Sequence, residues 1–406
     1  MINNHTAIVD DNRTISFSEL TSIVNRTAQY YFENGITKNS TVAILANNSL
    51  EYVITIYALW NLGAIPTPLN TRLTKSEINS IVNNSNFNSI IIDDSFSNIQ
   101  LQIQSINMVI KYEGNEYSKR VEALPNGIAV IIHTSGSSGK PKGVEITNNN
   151  LYQSYLSLAN SFRFNPKDKF LASLPFYHIG GFAIISRALL AGGILVIPKN
   201  LKQDSIVNAI KKHEPSVVSL VPTMLSRIIG NKIKPNSSMR YLFLGGGASS
   251  DELIHSALDN NWPVVKVYGS SETTAMVTGC WGEELRKLPA CAGKPFNEIE
   301  IKVLNEEKVE LNSGEVGEIA IKSKTIASGY LNNSKLWNHK LHNDFYLTGD
   351  YGYLDNDGRL FVVARRTDLI VSGGENIDPR EIENLLMANT SVNEVVVFPI
   401  LNDEWG

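Results

Sequence analysis

Short apolar runs alternate with amphipathic stretches along most of the chain. Ser16 and Glu19 have the spacing of a capping box, and Leu20, Ile23, Val24, Tyr31 and Phe32 then recur at helical intervals as far as Gly35, which predicts a helix. Residues 41–46 read as a buried strand, 50–62 as a helix closed by Gly63, and 64–69 as an extended segment. Thr74 and Glu77 repeat the capping-box spacing before a further helix, and 89–92 is another strand. The rhythm then continues, with helices near 151–161, 183–190 and 206–212 and strands at 170–174, 194–197, 217–221, 241–244 and 264–268. Strands separated by crossover helices predict largely parallel sheets with helices on both faces, an α/β fold. From Glu298 strict alternation takes over (298–303, then 318–321), so a small β-rich subdomain is expected near 293–366.

Composition narrows the classes. At 406 residues the chain exceeds one ordinary domain, and 43% hydrophobic with 19% charged residues describes a well-cored globule. The 36 basic and 40 acidic side chains leave a net charge of −4, which offers no global attraction to nucleic acid or anionic lipid. Two cysteines, Cys280 and Cys291, make neither a disulfide scaffold nor a metal-ligand spacing, so a reducing, cytoplasmic setting is expected. The amino terminus shows no secretion signal. Residues 180–198 are nearly all apolar, but Arg187 sits in their middle between glycine pairs; a buried helix followed by a strand fits better than a membrane span.

The apolar run 130–133 leads directly into Thr134-Ser135-Gly136-Ser137-Ser138-Gly139-Lys140-Pro141-Lys142-Gly143. Its glycines permit close backbone approach, its hydroxyls and amides donate hydrogen bonds, and Lys140 and Lys142 add positive charge, which together suit a polyphosphate. A flexible surface loop is the plainer alternative. A Walker loop is excluded: only two residues separate Gly136 from Gly139, and Pro141 stands where Ser or Thr would follow the lysine. A phosphotransferase of that kind is excluded with it.

This loop resembles the phosphate-binding loop of the adenylate-forming superfamily, which includes acyl-CoA synthetases, carrier-protein adenylation domains and luciferases. Other segments resemble that family in the same order: Leu174-Pro175-Phe176-Tyr177-His178-Ile179-Gly180-Gly181, the glycine run Gly245-Gly246-Gly247, Tyr268-Gly269-Ser270-Ser271-Glu272, Thr348-Gly349-Asp350, Arg365, and Ser372-Gly373-Gly374-Glu375-Asn376. The resemblance spans nearly the whole chain. It implies an acid–thiol ligase that joins a carboxylate to AMP, releasing pyrophosphate, and then passes the acyl group to coenzyme A. ATP, Mg²⁺ and coenzyme A are the implied cofactors and co-substrates.

The implied roles follow residue by residue. Thr134 to Lys140 and Lys142 would hold phosphate, with Ser138 and Glu272 at the metal. Gly245, Gly246, Gly247, Tyr268, Gly269 and Ser270 would surround the nucleotide, and Asp350 would grip the ribose hydroxyls. His178, Ser271, Glu272 and Arg365 would serve the reaction, and Gly373 and Gly374 the coenzyme A path. His178, Arg187, Gly245 and Ser270 would border the acid. Read without the resemblance, Tyr268 is equally a core tyrosine and His178 a satisfied interior histidine.

Arg187 bears on the choice of acid. A guanidinium has no use in a fatty-acid pocket, and an unpaired one is costly to bury. A substrate with a second carboxylate would supply a partner; the alternatives are a protein carboxylate or an outlet to solvent. The o-succinylbenzoate–CoA ligases of menaquinone synthesis carry an arginine here, and they resemble the chain also in 69–74 and 365–377. Other aryl- or acyl-CoA ligases and carrier-protein adenylation enzymes are the alternatives. The family resemblance places a large AMP-binding domain at 1–366 and the start of a truncated α+β carboxy-terminal domain at 367–406, with Thr367 at the hinge. The family's carboxy-terminal lysine is missing from the sequence, so impaired adenylation or a nucleotide-binding remnant is a further expectation. No nucleic acid or membrane partner is expected, and a homo-oligomer is left open.

Overall fold

The structure, a computed structural model, describes residues 4–99, 101–118, 126–134 and 141–364, then 370–373, 375–377 and scattered positions beyond (382, 385, 386, 392, 395–400, 402 and 405). Among these, nine strands form the largest sheet, in the order Lys294–Pro295, Ala275–Trp281, Val264–Ser270, Tyr241–Leu244, Val217–Leu220, Lys169–Leu171, Ile194–Val196, Thr6–Val9 and Thr14–Ser16. Neighbours from Val264–Ser270 to Thr6–Val9 run parallel, and the outer pairs are antiparallel. A second sheet, Ile65–Pro68, Thr41–Leu45, Ser89–Ile92 and Ser105–Asn107, is parallel throughout. The expected mixed, largely parallel α/β architecture is therefore present.

Two antiparallel sheets complete the frame. Ile128–Thr134 and Lys142–Thr147 flank the glycine-rich loop as a hairpin, and Gly329–Tyr330 adds to its free edge. The alternating stretch forms Ile299–Leu304, Gly317–Ser323 and Phe345–Leu354, with Leu341–His342 and Leu360–Ala364 paired to the last. Among the described residues no helix is long and apolar enough to cross a membrane.

Local chemistry accounts for the helix ends. Ser16 and Glu19 form the capping box of Phe17–Glu33, and Thr74 and Glu77 that of Lys75–Ser85. Ser49 caps Leu50–Leu62, which ends on Gly63 at φ 70°. Two of the boundaries that differ from the pattern have a local cause. The strand expected to reach 174 stops at Leu171, because the side chain of Asn48 takes the Leu174 carbonyl and the Phe176 amide out of the ladder. The helix expected from 183 begins at Ile179, with Gly180 and Gly181 inside it, and Gly181 packs closely on the Pro175 carbonyl. That helix, Ile179–Leu190, is buried along most of its length, which explains its apolar sequence without a membrane.

One polar cluster pins the amino ends of three parallel strands. Asp168, Ser216 and Arg240 each immediately precede a strand of the large sheet. Asp168 is buried; Nη1 of Arg240 meets its two oxygens at 2.8 and 2.7 Å, and the Ser216 hydroxyl donates to it at 2.7 Å. Losing one partner of a buried pair typically costs about 3–5 kcal/mol. Arg240 is about a third exposed, so its charge is partly screened. Arg240→Ala is expected to lower stability by about 2 kcal/mol in urea titration, and Arg240→Lys to recover only part of it, since a lysine lacks the planar fork.

Candidate active site

The carboxyl ends of both parallel sheets open into one cleft of about 1180 Å³. Asn47 and Asn48 enter it after Thr41–Leu45, Arg72 after Ile65–Pro68, and Asp93 after Ser89–Ile92. From the large sheet come Leu174 to Gly181, Val221, Gly245 with Gly246, and Val267 with Gly269 to Glu272. Thr134 arrives from the hairpin, and Thr348 and Asp350 from the β-rich sheet. Ser372, Gly373 and Trp405 close one side, where the Gly373 amide donates to the Trp405 carbonyl at 2.8 Å and the Arg227 guanidinium lies 4.8 Å from the Trp405 ring centre.

Most of the described residues singled out in the sequence meet here. His178, half-buried at the start of its helix, has its ring 4.7 Å from that of Tyr177. Ser270, Ser271 and Glu272 follow one another along the wall, with Glu272 buried and its Oε1 accepting from the Tyr330 hydroxyl at 2.8 Å. Tyr268 is buried and touches the site through its hydroxyl, which donates to Asp350 Oδ2 at 2.6 Å. Gly247 and Lys142 lie just outside the wall; Lys142 Nζ sits 5.7 Å from the centre of the Tyr330 ring. Ser135, Gly136, Ser137, Ser138, Gly139, Lys140, Arg365, Gly374 and the hinge at Thr367 fall outside the described residues.

The wall has the character a nucleotide requires. At Gly269 a Cβ would stand 1.8 Å from the Ala275 carbonyl oxygen, so only glycine allows the turn to fold back. Thr274 and Ala275, at φ 53° and 77°, hold left-handed backbone that non-glycine residues rarely adopt, and the site stores that strain. Among the described residues the buried hydroxyls of Thr134 and Ser270 meet no hydrogen-bond partner, which suits donors to an acceptor such as phosphate. His133 beside Thr134 is pulled down to about 4 by burial, so it brings no positive charge to the loop at neutral pH. Among the described residues no cluster of three or more His, Cys, Asp or Glu could hold a metal. Glu272 puts a carboxylate on the cleft wall, a hard oxygen donor of the kind a hard cation takes alongside phosphate and water oxygens.

Arg187 is 3% exposed on the face of Ile179–Leu190 that Gly180 shares at seven residues' distance. Its guanidinium lies 5.7 Å from the ring centre of Phe243, which lines the cleft. Among the described residues no carboxylate comes within ion-pairing reach, and desolvation pulls the guanidinium down to about 10, which still leaves it cationic at pH 7. Among the described residues neither protein alternative considered for it, an internal ion pair or a solvent outlet, is present. Sequence reasoning missed Asn48, Lys199, Arg227 and Tyr330, because their roles rest on contacts with no sequence periodicity.

Comparison with known proteins adds the following. The sequence profile described as AMP-binding enzyme matches residues 2–331. The 2-succinylbenzoate–CoA ligase of Bacillus subtilis (strain 168) is 31% identical over 404 residues, covering 98% of this chain and 83% of its own. That of Oceanobacillus iheyensis is 33% identical with the same coverage. The Bacillus subtilis o-succinylbenzoate CoA synthetase solved with ATP and magnesium superposes with a TM-score of 0.85 at 30% identity, over 99% of this chain and 85% of that one. The same enzyme solved with its acyl-adenylate intermediate gives 0.84 at 30% identity, over 99% and 84%.

Adjacent glycines offer a sharp test of the site's packing. A Cβ on Gly181 would stand 2.0 Å from the Pro175 carbonyl oxygen, whereas on Gly180 it would only touch Leu174 at 3.4 Å. Gly181→Ala is expected to cost about 1–3 kcal/mol or more in urea unfolding, and Gly180→Ala to stay within about 0.5 kcal/mol of the parent or gain stability.

Proposed function

The chain belongs to the AMP-binding enzymes, and on that premise we propose that it is an o-succinylbenzoate–CoA ligase using ATP, Mg²⁺ and coenzyme A. A carboxylate oxygen of the acid attacks the α-phosphorus of ATP, and the bond to pyrophosphate breaks. The sulfur of coenzyme A then attacks the acyl carbon, AMP departs, and a thioester remains. No protein nucleophile is required, so the cleft works by holding groups in place and stabilising charge.

The residues divide that work. Asp350, held by Tyr268, accepts from the ribose hydroxyls. Thr134 and Ser270 donate to phosphate oxygens, and the backbone around Gly245, Gly246 and Gly269 lets the nucleotide lie close. Ser271 and His178 border the reacting carboxylate. Glu272 would hold Mg²⁺, which would supply positive charge to offset that of the phosphates. Ser135 to Lys140, Lys142, Gly247, Arg365, Gly373 and Gly374 keep the roles that the family resemblance gives them. The large AMP-binding unit is taken as 1–366, its β-rich part near 293–366, with 367–406 beginning the small carboxy-terminal unit. We place the reaction in the cytoplasm, where the buried free thiols Cys280 and Cys291 stay reduced. A homo-oligomer is compatible with it.

The observation that carries the choice of acid is the buried Arg187, which no carboxylate meets among the described residues. The carboxylate of o-succinylbenzoate that is not adenylated supplies the missing partner. Arg187→Leu is expected to lower kcat/KM for o-succinylbenzoate by about 100-fold or more, the scale of stranding one member of a buried ion pair. An analogue without that carboxylate should lose little or gain. An equal fall for both acids, measured on both proteins, would show that Arg187 serves the fold and not the substrate.

A further inference from the structure

The short segment that follows the β-rich sheet's second strand, residues 324–331, touches both halves of the phosphate site. Its amides of Ser328 and Leu331 donate to the carbonyls of Glu145 and Gly143 at 2.9 and 2.7 Å, on the strand that returns from the glycine-rich loop. Its Ala327 amide donates to the Glu272 carbonyl at 2.8 Å, and the Thr274 hydroxyl donates to its Thr325 carbonyl at 2.6 Å. The Asn150 side-chain amide donates to its Lys324 and Ile326 carbonyls, each at 2.8 Å. A segment held at so many points has little freedom of its own.

One side chain converts that rigidity into chemistry. The Tyr330 hydroxyl donates to Glu272 Oε1 at 2.8 Å, with both residues buried. The Tyr330 ring is fixed in turn, edge-on to Trp337 with ring centres 5.1 Å apart, and Trp337 stacks on Tyr346 at 5.4 Å. A buried carboxylate needs donors to stay ionised, and a donor on one oxygen fixes the plane in which the group meets a cation.

We propose that Tyr330 is a positioning residue that orients the Glu272 carboxylate for the metal, and that segment 324–331 splints this carboxylate to the phosphate-loop strand. This inference rests on the reading of Glu272 as the metal's protein ligand. It makes the metal site depend on a residue 58 positions away in sequence and outside the cleft wall.

The test is calorimetric and needs no turnover. ATP binding is measured on the full chain in EDTA and across a Mg²⁺ series, for the parent, Tyr330→Phe and Glu272→Gln. Tyr330→Phe keeps the ring and its packing, so ATP affinity in EDTA should change less than about twofold, while the half-saturating Mg²⁺ concentration rises about tenfold or more, the usual penalty for losing an outer partner of a metal ligand. An equal loss with and without Mg²⁺, or no shift in the Mg²⁺ series, overturns the proposal for Tyr330. If Glu272→Gln itself leaves the Mg²⁺ series unchanged, the metal-ligand reading fails first, and the proposal falls with it. Should Tyr330→Phe not fold, the double variant Tyr330→Phe, Glu272→Gln, which buries no charge, is expected to fold better; a double variant no more stable than the single one overturns the link.

Discussion

A guanidinium held in an apolar helix, with no carboxylate to balance it among the described residues, is the constraint from which the rest of this cleft takes its meaning. Burying such a charge without a partner carries a cost of several kcal/mol. The fold accepts that cost at Arg187, where Phe243 supplies only its ring face. The same helix presents Gly180 and Gly181 to the cleft two turns earlier, so one rigid element carries both the close approach and the charge. On the proposed reading, that charge favours a doubly acidic substrate and penalises a purely apolar one.

The sheets explain why the site lies where it does. The large sheet is tied at the amino ends of its parallel strands by Asp168, Ser216 and Arg240, and left open at the carboxyl ends. The second parallel sheet delivers its own carboxyl ends to the same opening through Asn47, Arg72 and Asp93. Asn48 then joins the two, its side-chain amide reading the backbone of Leu174 and Phe176 as a strand neighbour would. The polar cluster and the cleft therefore occupy opposite ends of one sheet, which lets the cleft keep left-handed turns without weakening the frame.

Features written in neighbouring residues were legible in the sequence. Ser16 with Glu19 and Thr74 with Glu77 cap their helices as their spacing predicts, because both partners lie within one turn. The alternation at 298–303 became a strand with buried Ile299, Ile301 and Val303. The frequent asparagines, which carry no motif, find a use in the fold: Asn39, Asn86, Asn261, Asn332 and Asn343 all take positive φ, a conformation that asparagine tolerates. Contacts between distant segments left no such trace. Asn48 and Phe176 lie 128 residues apart and meet through the backbone amide of Phe176, and Asp168 and Arg240, types that are commonly exposed, are separated by 72. For Arg187 the pattern marked an oddity and left three partners open, and only the packing around it removed two of them.

The most direct test of the account is a crystal structure of the protein with the o-succinylbenzoyl adenylate bound. The account predicts the free carboxylate of the ligand within about 3 Å of the Arg187 guanidinium, the distance of a charge-assisted hydrogen bond. A free carboxylate resting instead against Lys199 or Arg72, with Arg187 still facing only Phe243, would contradict it.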